Sequence, residues 1–248
     1  MNSVKLAVLG TLALALSITL YSCKKGKIVS TGDISITDVV KAKFTSNVTI
    51  STSGSGKKSS ITLKSNGLPD HKTPYWGSGN ALYEEFPFGH QANANTEMIA
   101  QTYKMKIPTN PNEAASKEET SLGEIGMALN GVAIFNDREG GNVSLDAMTL
   151  TTFDNSGAHP APAKNYHYHT TGKYISVDDA KLIGFLRDGF PIYGRKDTTG
   201  VYPTLDEYGG HYGPTQDFPN GIYHYHFTPE APYLNGSGFY GTPGTVSQ

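Results

Sequence analysis

NYHYHT, residues 165–170, holds the tetrapeptide Tyr-His-Tyr-His, and the same four residues return at 223–226 inside IYHYHFT. The chain has 248 residues and eight histidines, of which these two copies take four. A single YHYH would arise by chance in about one chain in a thousand of this size and composition, so two copies point to an internal repeat. On a strand, alternate side chains share a face. His167 and His169 then point one way and Tyr166 and Tyr168 the other, as do His224 and His226 against Tyr223 and Tyr225.

Outward from the tetrapeptides, two further blocks recur in the same order. IGMALNGVAIFN (125–136) aligns with IGFLRDGFPIYG (183–194), and FDNSGAH (153–159) with LDEYGGH (205–211). The three blocks are offset by 52 to 58 residues, which marks a duplication spanning about 122–170 and 180–227. The composition, with 28 glycines and 15 tyrosines, suits short strands and turns. A mainly β fold with few short helices is expected, its duplicated strand-loop unit paired about a pseudo-twofold axis around one core.

The rest of the chain reads in the same terms. NVTISTS (47–53) and SSITLKS (59–65) alternate on either side of a Gly-rich break and predict a β-hairpin. Residues 66–80 are turn-rich, and MIAQTYKMKIP (98–108) predicts a strand that stops at Pro108. NEAASKEETSLG (112–123) predicts a short solvated helix, and the Ser-x-x-Asp start of SVDDAKLIGF (176–185) a second one. A single domain is expected over 46–248.

Lys5 and the apolar run LAVLGTLALALSITL (6–20) form a signal peptide over 1–22, too short to argue for a membrane span. LYSC at 20–23 resembles a lipobox, so Cys23, the only cysteine, is expected to carry a lipid that anchors the mature chain in a bacterial envelope, outside the cytoplasm. A polar tether over 23–45 would follow. A net charge of -2 and 17% charged residues give no field for nucleic acid.

With no thiol left, metal chemistry would fall to His, Asp, Glu or Tyr. Each repeat adds a third histidine, His159 or His211, to its His-x-His pair, with Asp154 or Asp206 five residues earlier. Six imidazoles could form two His₃ sites or one composite site, with the aspartates as ligands or as acceptors that fix a ring tautomer. Imidazole sets of this kind suit copper or zinc outside the cytoplasm. His71 and Asp188 are further candidates, while the repeated tyrosines read as core packing. Metal handling or metal-dependent hydrolytic or oxidative chemistry is one expectation. The other is a non-enzymatic surface module for glycan or protein, whose histidines are structural and bonded to backbone.

These blocks, with NGLPDH (66–71) and LIGFLRDGFPIYG (182–194), resemble the YHYH-domain family of secreted and lipid-anchored proteins. The resemblance covers about residues 60–240 and implies that His159, His167, His169, His211, His224 and His226 belong to the family's hallmark site. It implies no particular reaction. Many relatives carry cysteines where this chain has Ser156, Tyr208 and Ser237, so loop rigidity here must come from packing.

Overall fold

A computed structural model of the chain describes residues 34–234 and 238–248. The expected signal peptide and Cys23 lie outside the described residues. Of the tether expected over 23–45, residues 23–33 also lie outside the described residues, and Ile36–Lys43 form helix α1. Ser35 caps it by accepting from the Asp38 amide, and Lys41 and Lys43 sit in the last turn, where positive charge suits the helix dipole. Ile36, Val39 and Val40, at helical spacing, are buried on one face and tie this segment to the domain core.

Strands β1 (Thr49–Ser53) and β2 (Ser60–Ser65) form the expected hairpin, with Ser53 opposite Ser60. Strand β3 (Tyr103–Pro108) adds to β2 and buries Tyr103, Met105 and Ile107 while Lys104 and Lys106 face out. The predicted helix at 112–123 is instead strand β4 (Glu113–Glu118). Its propensity gives way to long-range pairing with a C-terminal strand, described below, that no local pattern announces. Next come β5 (Glu124–Ala128), β6 (Ala133–Phe135), the short pair β7 (Arg138–Glu139) and β8 (Val143–Ser144), and the one-turn helix α2 (Ala147–Leu150). Strands β9 (Ala158–Pro160) and β10 (Tyr166–Tyr168) complete the first repeat.

The second repeat supplies β11 (Leu182–Leu186), β12 (Pro191–Tyr193), β13 (Gly210–Gly213) and β14 (Ile222–His226). The helix predicted before β11 does not form. Ser176 Oγ still donates to Asp179 Oδ1 (2.8 Å), but the segment is turn and bend that leads straight into the strand. At the end of the chain, β15 (Phe239–Gly241) pairs with β4 and β16 (Val246–Ser247) with β3. Among the described residues no helix is long and apolar enough to cross a membrane.

The eight repeat strands form one sheet in the order β13-β14-β12-β11-β5-β6-β10-β9. From the central β11–β5 pair outward, both halves run first strand, second strand, YHYH strand, third-histidine strand. Gly126 lies opposite Leu186 and Gly184 opposite Ala128, so the register is unchanged when the repeats are exchanged. The Ile-Gly of each repeat has its reason here. A Cβ on Gly184 would stand 2.2 Å from the Met127 carbonyl oxygen, and one on Gly126 2.8 Å from that of Phe185. The order also places the two YHYH strands five strand spacings apart, roughly 24 Å at about 4.8 Å each.

Candidate metal centres

Strand alternation divides the tetrapeptides as the sequence predicts. The tyrosine face is a polar network, buried around Tyr166, Tyr168 and Tyr225 and reaching the surface at Asp206. Tyr166 donates to Asp154 Oδ2 (2.5 Å), Tyr223 to both oxygens of Asp206 (3.1 Å each) and Tyr225 to Asp188 Oδ2 (2.6 Å). His71 Nδ1–H donates to the Lys72 carbonyl (2.9 Å), leaving Nε2 to accept from Tyr168 (2.7 Å), whose oxygen accepts in turn from Asn130 (2.9 Å). Four of the candidate residues, Asp154, Asp206, His71 and Asp188, therefore bond to tyrosines rather than to the histidine face. For the two aspartates the cause is spacing. The turn that carries each one bends back under the first tyrosine of its repeat, and Asp154 Oδ1 and Asp206 Oδ1 also take the amides of Ser156 and Tyr208. The Asp188 carboxyl is pushed up to about 6 by burial, against hydrogen bonds from Tyr225 and from the Gly241 and Phe190 amides.

On the opposite face the histidines gather into two separate clusters, one at each end of the sheet. His159, His167 and His169 converge with Glu139, and His211, His224 and His226 converge on their own; within each group the ligand atoms lie within 4.8 Å of one another. Strand register builds both. His159 stands opposite His167 on β9 and β10, and His211 opposite His224 on β13 and β14. The third ring comes from two residues further along the YHYH segment. A single composite site, one of the two layouts open from the sequence, does not form.

Tautomers in the first cluster follow from the partners. His167 Nδ1–H donates to the Asn165 carbonyl (3.0 Å) and His169 Nδ1–H to the Asn136 carbonyl (2.6 Å), because a carbonyl can only accept. Thr152 Oγ1 lies 2.6 Å from the Thr149 carbonyl and 2.7 Å from His159 Nδ1, which also faces the Asn93 side-chain amide nitrogen at 3.2 Å. The Nε2 lone pairs of His167 and His169 then point inward, and His159 Nε2 faces Glu139. His167 Nε2 and His169 Nε2 are 2.8 Å apart, and Glu139 Oε1 is 3.0 Å from His159 Nε2 and 3.2 Å from His169 Nε2.

Nitrogens and a carboxylate oxygen at such distances share either a proton or a cation. Burial works against charge on Glu139, yet contact with His159 and His169 holds its carboxyl well below the usual range, so it is an anion. Protons on the rings are a poor answer. Burial pushes His167 well below the ordinary imidazole value, helped by His169 and His159, and burial lowers His159 as well. A proton on His169 Nε2 could serve only one contact. Glu139 Oε1 and His159 Nε2 are buried and find no hydrogen-bond partner despite their proximity. The four residues are positioned to hold a metal ion. Tetrahedral coordination at about 2.05 Å separates ligand atoms by roughly 3.3 Å, close to the spacings seen. Phe135 stacks on His167 (centroids 3.9 Å) and Phe153 on His169 (5.3 Å), closing the cluster from water.

The second cluster repeats the device in a more open setting. His224 Nδ1–H donates to the Ile222 carbonyl (2.9 Å) and His226 Nδ1–H to the Gly194 carbonyl (2.6 Å). His226 Nε2 faces His211 Nε2 at 3.2 Å. Burial, with the neighbouring imidazoles, brings His224 down to about 3 and His226 down to about 4, so both are neutral ligands at neutral pH. His211 is only partly buried, and no carboxylate stands within the group. Three imidazoles with one side open leave a coordination position for a further ligand.

Glu139 was not among the residues the sequence singled out. It lies three residues past the end of the first repeated block, where the alignment stops, and reaches the cluster through the β7–β8 hairpin. His90 bonds through Nδ1 to the Phe153 carbonyl (2.7 Å), beside the ring that covers His169.

Residues 104–202 match the YHYH protein family. That span includes the whole first cluster and ends before the histidines of the second. No curated protein and no solved structure matches the chain.

Proposed function

The chain carries a YHYH-family region over residues 104–202, and on that premise we propose that it is a bacterial envelope lipoprotein that binds a transition metal, copper or zinc, at each histidine cluster. One observation carries the reading. In the first cluster the Nδ1 of His167 and of His169 is spent on a backbone carbonyl, which turns both Nε2 lone pairs toward each other and toward Glu139 Oε1. A purely structural role would satisfy both nitrogens of each ring. Here the backbone or a threonine takes one nitrogen and leaves the other facing its neighbours. Imidazole with carboxylate suits zinc and copper.

The first centre, closed by Phe135 and Phe153, serves as a tight-binding site. The second, with an open side, serves metal handling or metal-dependent hydrolytic or oxidative chemistry. A metal bound there would supply either a water of lowered pKa or, as copper, single-electron exchange. Attachment through Cys23 places both centres outside the cytoplasm; labelled palmitate should enter the wild type and fail to enter Cys23→Ser.

Elemental analysis of the domain lacking residues 1–23, purified without a histidine tag, tests the metal reading. Near two equivalents of copper or zinc are expected, falling to near zero in His167→Ala/His224→Ala. A wild type that is metal-free and refuses both added ions would overturn it.

A further inference from the structure

The two centres differ in one ligand. The first has Glu139; the second has no carboxylate within the group. The repeat shows where its counterpart should be. The aligned blocks end at Asn136 and Gly194, and these residues hold equivalent places, since each carbonyl accepts from the last histidine of its repeat at 2.6 Å. The strands agree: Ile134 lies beside Tyr168 and Ile192 beside Tyr225, in parallel pairs. Continuing three residues from each carbonyl reaches Glu139 in one repeat and Asp197 in the other.

Asp197 is one methylene shorter than Glu139 and is turned away. The Thr199 amide (2.7 Å) and hydroxyl (2.5 Å) both donate to its Oδ1, and the Asp197 and Gly200 amides close the turn on the Val201 and Asp197 carbonyls (3.0 Å each). Gly194, three residues before Asp197, touches the cluster directly through the His226 bond. Asp206 is engaged with Tyr223.

We infer that Asp197 is the carboxylate ligand of the second centre, docked on Thr199 when the fourth position is given to solvent or another ligand and swung onto the metal otherwise. This rests on the proposal that the clusters bind metal and makes the two centres unequal. Glu139 is fixed on its metal, whereas Asp197 exchanges between the metal and a hydroxyl. An exchangeable carboxylate suits a centre that admits and releases a small donor such as water, hydroxide or an anion. It also fits the partial exposure of His211 at the same centre.

Titration of the metal-stripped full-length chain with cobalt(II), followed by visible absorption and by stoichiometry, tests the assignment. The wild type should take two equivalents. Asp197→Asn keeps an acceptor for Thr199, and with it the turn, but removes the charge; it should weaken one equivalent about tenfold or more and leave the other unchanged. Thr199→Ala frees the carboxylate, and Asp197→Glu restores the reach of Glu139; each should bind that equivalent at least as tightly as the wild type. Two equivalents in the wild type with Asp197→Asn unaltered would make Asp197 a turn cap and overturn this inference alone. Equal weakening by Asp197→Asn and Thr199→Ala would do the same, because the intact turn would then be what matters. A wild type that takes up no cobalt would overturn the metal reading itself.

Discussion

His167 and His224 each donate Nδ1–H to the carbonyl two residues earlier, Asn165 at 3.0 Å and Ile222 at 2.9 Å. The strand thus orients its own imidazole, and the ligand nitrogen needs no other side chain to hold its tautomer. This was legible in the sequence as the tetrapeptide itself, because alternation alone decides which face the histidines take. The carboxylates were not legible. Asp154 and Asp206 stand at a fixed spacing from a histidine, but the turn after each delivers them to Tyr166 and Tyr223. Glu139 lies past the repeated block, and only the fold brings it to His159 and His169. Its charge matters more than its shape. Glu139→Gln should therefore weaken metal at the first centre by about 10- to 100-fold and leave the second unchanged, measured by competition with a chromophoric chelator. Equal loss at both centres would contradict that division.

Two local elements carry consequences of their own. The β7–β8 hairpin presents Glu139, and its turn uses Gly141 at φ 83° and Asn142 at φ 59°. A Cβ at Gly141 would meet nothing within 4 Å, so Gly141→Ala should cost only the left-handed backbone penalty, about 1–2 kcal/mol, felt locally. The expected result is weaker metal at the first centre with an intact fold by circular dichroism; unchanged affinity would show that the hairpin does not set the position of Glu139. Beneath the second YHYH strand, Asp188 is raised to about 6 by burial. The folded state then holds a proton that the unfolded chain releases near pH 4. Stability should fall as pH rises from about 4 to about 6 and level off above, by about 3 kcal/mol at 1.36 kcal/mol per pH unit. Urea unfolding at several pH values should show that slope in the wild type and lose it in Asp188→Asn; parallel curves would contradict it. Elements with local signals, such as the β1–β2 hairpin and the repeat strands, were readable. Strand β4 was not, because Glu113–Glu118 buries little beyond Ala114 and owes its form to Phe239–Gly241, far along the chain.

Across the whole molecule, duplication fixes where the centres lie. The first strands of the repeats meet at the middle of the sheet through Gly126 and Gly184, which sends each YHYH strand toward an opposite edge. The repeat was plain in the sequence, but it left one site or two undecided, since that depends on which strands pair across the middle. Separated by roughly 24 Å, the centres should fill independently. The most direct test is a crystal of the domain grown with zinc or copper and measured at the metal's absorption edge. Two anomalous peaks per chain are predicted, one among His159, His167, His169 and Glu139 and the other among His211, His224 and His226. No peak at either cluster, or one peak bound elsewhere, would contradict the account.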